Sequence, residues 1–227
     1  VIHWIAVGLS LLPGFAWLFF YAEEDWRREP ARPMLRTFFF GGAFAFFALA
    51  FQLVLERYLP ASVALTAGTI TIYAASEEFF KFLAAYVAVH RDPAFNEPLD
   101  AMLYCIIAAL GFATLENIGA IAGQASLNPM LLTDVVGATT LRFAGATLLH
   151  TLATGTIGYY WARSILRGHK GWLLWGFFVG VAIHVTFNLL IFAIGSIAAA
   201  IAFVVVAGFF ILYDYEELNN MRVNIRG

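Results

Sequence analysis

The sequence predicts an all-α fold: a polytopic membrane helical bundle of about seven transmembrane helices. Composition is the first observation, since 62% of the 227 residues are hydrophobic and only 12% are charged, with a mean hydropathy of +0.80. A soluble domain carries about 25% charged residues. The second is a series of apolar runs, each near the ~20 residues that cross a bilayer as a helix. The third is the lack of the alternating pattern of a transmembrane β-strand. A single membrane-embedded domain over residues 1–227 is expected, because no polar stretch is long enough to fold by itself. The net charge of −2 and the absence of a basic patch argue against nucleic acid as a partner. Cys105 is the only cysteine, so the chain forms no internal disulfide, and its apolar surroundings mark it as packing.

The seven runs cover roughly residues 2–21, 36–55, 64–89, 99–122, 135–162, 172–193 and 196–213. The first lacks a basic leader and a small-residue cleavage pattern, and reads as a span rather than a signal peptide. The third and fifth exceed a minimal span and are expected to tilt or to extend beyond the bilayer. Short connections rich in charge or proline separate them, as in residues 22–35 with Pro30 and Pro33, or 90–98 with Pro93 and Pro98. Arginine and lysine set orientation. Arg27, Arg28, Arg32, Arg36, Arg91, Arg163, Arg167, Lys170, Arg222 and Arg226 fall on one side, and Arg57 alone on the other. This predicts an external N-terminus and a cytoplasmic C-terminus.

The remaining two basic residues, Lys81 and Arg142, lie inside spans with several other polar groups. An ionisable side chain at bilayer depth costs at least a few kcal/mol and usually faces a bundle interior or a wet cavity. Glu77 and Glu78 are in the third run, Glu116 in the fourth, His150 in the fifth and His184 in the sixth. At 1.5 Å per residue the Glu pair and both histidines lie ~18 Å from the cytoplasmic ends of their runs, with Glu116 a turn or so further out. Each shares a helix face with small residues, which let membrane helices approach closely. Gly176, Gly180, His184 and Asn188 form one such stripe, and Ala146, His150, Thr154 and Gly158 another. The stripe in the third run favours Glu78 slightly over Glu77.

Plainer roles exist for the same residues. Lys81 follows Glu77 by four residues and Glu78 by three, so it could neutralise one carboxylate locally. Arg142 could pair with Glu116 or Asp134. Asn117 and Asn188 could simply bond between helices. A lone histidine in a membrane helix is often a packing donor, but two at the depth of a Glu pair are harder to explain that way.

Together these residues resemble a known family. Ser76-Glu77-Glu78-Phe79-Phe80-Lys81 resembles the EExxK motif of the PrsW family of intramembrane proteases. Gly111-Phe112-Ala113-Thr114-Leu115-Glu116-Asn117 is similar to its second motif, and His150 and His184 to its later histidines. The resemblance covers residues from about 70 to 190. A more distant similarity is to the CAAX-prenyl endopeptidase and bacteriocin-processing superfamily, whose HxxxN motif His184-Val185-Thr186-Phe187-Asn188 fits. Glu116 stands where that superfamily usually has a histidine, which favours PrsW. The resemblance implies regulated proteolysis of membrane-tethered substrates, of the anti-sigma-factor class, in a bacterial plasma membrane.

Peptide hydrolysis needs an activated water, a stabiliser for the oxyanion and a proton for the leaving amine. A carboxylate in a low-dielectric site suits general-base work. One Glu paired to Lys81 would leave the other free to activate water. His184 and Asn188 could serve the oxyanion, and His150 could orient water or protonate the amine. A zinc version would use His150, His184 and Glu116 as ligands with Glu78 as base. The metal-free version is favoured slightly, with no cofactor, and Zn2+ is the alternative. A proton-coupled transporter or channel is the rival from another class, since Glu, His and Lys at mid-depth also build proton relays. The catalytic candidates are thus Glu77, Glu78, Glu116, His150, His184 and Asn188, supported by Lys81 and Asn117.

Overall fold

The structure is a computed structural model that describes residues 2–24, 29–60, 63, 66–123, 131–221 and 225, with the backbone alone at 2–3, 21–24 and 122. Every regular element among these residues is helical. Helices α1 (Ile2–Glu24), α2 (Ala31–Tyr58) and α3 (Ala67–Val89) come first. Helix α4 (Pro98–Asn117) runs on into a π-helical turn, Ile118–Ala122. Helix α5 (Leu132–Leu141) passes through a second π-turn, Arg142–Thr147, into α6 (Leu148–Arg167). Helices α7 (Gly171–Phe192) and α8 (Ile197–Asn219) complete the chain. With α5 and α6 continuous, these make seven rods, one for each apolar run. Among the described residues, four helices are long and apolar enough to cross a membrane: α2, α4 with its extension, α7 and α8.

Local chemistry sets the boundaries. Thr66 caps α3 by accepting from the Thr69 amide, and Ser196 caps α8 by accepting from Ala199 at 3.2 Å. Pro98 opens α4 next to a reciprocal Glu97/Asp100 capping box. Gly168 closes α6 in the left-handed conformation at φ 63°, where a side chain would be strained.

Helix α4 is the axis of the bundle. Residues 98–114 and Asn117 are all buried, and its largest interfaces are with α6 and α2. Glycine permits both contacts. A Cβ on Gly41 of α2 would strike the Ala108 carbonyl of α4, and one on Gly111 of α4 would strike the Phe38 carbonyl of α2. On the other side, a Cβ on Gly158 of α6 would lie 2.6 Å from Met102 Cα. Helix α7 approaches α6 in the same way through Gly180. Backbone contact of this kind is how membrane helices gain packing energy without a hydrophobic driving force.

Polar ties gather one set of helix ends. Arg36 of α2 pairs with Asp92 at 2.5 Å, Tyr104 of α4 donates to Glu29, and Arg163 of α6 pairs with Glu217 of α8 at 2.5 Å. The end they share is the one where the sequence concentrates its arginines. Arg27, Arg28, Arg222 and Arg226, also used to predict orientation, lie outside the described side chains, as does most of the 123–134 connection.

Candidate active site

The polar residues of α3, α4, α6 and α7 meet in the interior. Glu77 and Glu78 are adjacent on α3, so their side chains point ~100° apart around the helix axis. Glu78 points inward and is fully buried, whereas the Glu77 side chain is 18% exposed and lines a cavity of about 420 Å³.

Glu78 is held from three elements. Lys81 Nζ donates to Oε1 at 2.7 Å, His184 Nδ1 lies 2.7 Å from the same oxygen, and Thr154 Oγ1 of α6 donates to Oε2 at 2.6 Å. A carboxylate only accepts, so His184 Nδ1 carries a proton, and in the neutral ring Nε2 presents a lone pair. That Nε2 is 3.7 Å from Glu77 Oε2, too far for a direct hydrogen bond. Glu77 is anchored from α2, where Gln52 Nε2 donates to its Oε1 at 3.1 Å.

The second imidazole has the opposite arrangement. Lys81 Nζ is 2.7 Å from His150 Nδ1. An ammonium only donates, so Nδ1 accepts and the His150 proton is on Nε2. The two rings sit edge to face with centroids 5.1 Å apart. Lys81 is fully buried and also lies over the Phe112 ring, 4.9 Å from its centroid.

Glu116 closes the cluster from α4. Its Oε2 is 2.8 Å from His150 Nε2 but is buried without an aligned hydrogen-bond donor. Its Oε1 takes Arg142 Nη2 at 2.6 Å. Arg142 also donates to Asn117 Oδ1, and Asn117 Nδ2 donates to Thr147 Oγ1 at 3.1 Å. Both π-turns begin here, at Ile118 and Arg142. An extra residue in a helical turn changes where the side chains beyond it point, and such turns often occur at functional sites. Asp134, the other partner considered for Arg142, accepts instead from the Leu131 amide at 2.8 Å. Asn188 lines the cavity one turn beyond His184.

The stripe of small residues put Glu78 on the face that meets other helices, where the structure buries it as the partner of Lys81, and Glu77 lines the cavity. One assignment made on the sequence changes. The zinc set was drawn with Glu116, yet the donors that come together are those of Glu77, His150 and His184, all within 4.8 Å of one another. Arg142 holds Glu116 to one side. Two residues of the site were missed. Thr154 was marked by its place one turn after His150, and Gln52 by being the one polar side chain in α2 between Thr37 and Glu56.

A model of the PrsW family, described as intramembrane metalloproteases, matches residues 29–213. Curated relatives agree. Protease PrsW of Geobacillus kaustophilus is 29% identical over 201 residues, covering 77% of this chain and 84% of that protein. Protease PrsW of Bacillus subtilis is 31% identical over 118 residues, covering 49% and 51%. Protease PrsW of Halalkalibacterium halodurans is 26% identical over 179 residues, covering 77% and 78%. No solved structure gives a significant match. The helical bundle is thus a membrane-embedded protease. The chain belongs to the PrsW family, and the transporter or channel reading is left without support.

Proposed function

We propose that the protein hydrolyses a peptide bond of a membrane-tethered protein substrate, of the anti-sigma-factor class, in a bacterial plasma membrane. Seven spans would place the N-terminus outside and the C-terminus in the cytoplasm, in one membrane-embedded domain. The observation that carries the chemistry is the opposite character of the partners at Nδ1 of two neighbouring imidazoles, a carboxylate for His184 and an ammonium for His150. His184 offers a lone pair at Nε2 because Glu78 holds its Nδ1 proton. His150 offers a proton at Nε2 because Lys81 donates to its Nδ1.

Glu77 and His184 Nε2 face each other across a gap that suits a shared water. Glu77 takes the proton from that water as it attacks the scissile carbonyl. The Asn188 amide donates to the developing oxyanion from the same cavity wall. Glu77 then passes that proton to the leaving amine as the C–N bond breaks, while His150 keeps its Nε2 proton and uses it to orient the water. Glu78 and Lys81 react with nothing and fix which nitrogen of each ring carries a proton.

The same donors fit a divalent metal. Glu77, His150 and His184 are the two-imidazole, one-carboxylate set of many catalytic zinc sites, and the Glu78–His184 bond is the usual outer support of a ligating imidazole. For His150 to ligate through Nε2, its proton would first have to move to Nδ1, the atom that faces Lys81. A zinc ion held by the three would supply a ligated water acidified to near neutrality.

The test is reconstitution with a single-span substrate in lipid vesicles. Wild type is expected to cleave it, and Glu77→Gln and His184→Ala to lose at least ~10²-fold in rate. Cleavage that persists in both variants, or none by wild type on a range of such substrates, would reject the assignment. Elemental analysis of purified protein, with zinc removal and replacement, decides whether metal takes part.

A further inference from the structure

Glu77 and Glu116 line a second cavity as well as the first. It occupies about 530 Å³ between α2, α3 and α4, whereas the first, about 420 Å³, lies among α3, the α5–α6 rod, α7 and α8. Both volumes fall within the ~300–1,000 Å³ typical of ligand pockets. Among the described residues, helices α2 and α7 each pack on α3 with no comparable interface between them, so the two spaces lie on different flanks of Glu77. Apart from the acids and Gln52, the second cavity is apolar, walled by Ala45, Phe46, Leu49, Leu115 and Ile118.

An extended peptide sends successive side chains to opposite faces. A chain laid across Glu77 with its scissile bond at the acids therefore places one flanking side chain in each cavity. We propose that the two cavities are the specificity subsites on either side of the cut, and that the α2–α3–α4 cavity takes an apolar side chain. This rests on the protease assignment made above. Gln52 is the positioning residue at the boundary, since its amide holds Glu77 while its stem borders the second cavity.

Glycine makes each space separately adjustable. A Cβ on Gly119, in the wall of the second cavity, meets nothing within 4 Å. A Cβ on Gly145, in the wall of the first, comes no closer than 3.5 Å to Phe187. Gly119→Leu should narrow one subsite and Gly145→Leu the other. Leu49→Ala should widen the second cavity, and Leu49 is 50% exposed, so folding should survive.

The experiment uses full-length protein in vesicles and a set of single-span substrates varied at the two residues flanking the cut. Gly119→Leu is expected to lower kcat/KM at least ~10-fold for large apolar residues at one flank while sparing alanine there, as a pocket altered by a side-chain group or two discriminates. Gly145→Leu should do so at the opposite flank, and Leu49→Ala should shift preference toward larger residues at the Gly119 flank. Wild-type cleavage with all three variants keeping the wild-type preference overturns the subsites and leaves the protease assignment standing. Both glycine variants changing the same flank overturns them too. Should Gly119→Leu fail to fold, the preference of Leu49→Ala decides.

Discussion

At the scale of single residues, the two adjacent glutamates illustrate how one peptide unit separates a structural from a chemical role. Glu78 is fully buried with three partners, and removing its charge leaves Lys81 as a buried ammonium whose nearest remaining carboxylate, Glu77, is 3.8 Å away. Breaking a buried pair from one side typically costs ~3–5 kcal/mol. Glu78→Gln should therefore lower the melting temperature in detergent as well as abolish cleavage. Glu77→Gln should abolish cleavage with little thermal change, because its carboxylate faces the cavity. Equal thermal losses in the two would contradict the geometry. Thr154→Val removes one hydrogen bond to a charged group and should cost ~1.5–3 kcal/mol by the same measurement.

At the scale of elements, the contact between α2 and α4 has no room for another atom. Gly41→Ala or Gly111→Ala must push the helices apart and should destabilise by ~1–3 kcal/mol. Because Glu116 follows Gly111 on α4, either variant should also slow cleavage. Gly137→Ala is the control. A Cβ there meets nothing within 4 Å, and alanine in a helix interior should gain up to ~1 kcal/mol. Thermal melts of the three variants check the ranking.

Much of this level was legible in the sequence. The seven apolar runs correspond one to one with the seven rods. What was not legible depends on rotation and bending. The fifth rod begins before residue 135 and ends after 162, since Thr133, Asp134, Arg163 and Ser164 are polar yet helical. The π-turns after Asn117 and Leu141 leave no mark in hydropathy, yet they lie where Arg142 reaches Glu116. Which of Glu77 and Glu78 faces the cavity turns on ~100° of rotation, and the stripe of small residues marked only the face that meets other helices, where Glu78 lies. Depth was more robust, and it identified the carboxylates and imidazoles that meet.

At the scale of the molecule, the outer surface carries large apolar side chains such as Phe39, Phe46, Phe178, Phe209 and Phe210, as expected of a surface facing lipid. Orientation can be read with cysteine chemistry, because Cys105 is 0% exposed and should stay silent to maleimides. Tyr58→Cys lies at one end of the bundle and His169→Cys at the other. With an external N-terminus, an impermeant maleimide should label only Tyr58→Cys in intact cells and only His169→Cys in inverted vesicles. The reverse pattern would invert the topology.

The burial of α4 has a consequence for how the bilayer acts on the protein. Wrapped by its neighbours, this helix hardly meets an acyl chain, although its sequence is apolar enough to cross a bilayer alone. A thinner or thicker host membrane would thus act on the helices around α4, whose apolar faces it wets, and would reach Glu116 through them. Hydrophobic mismatch would alter the tilt of the periphery while the central rod keeps its register.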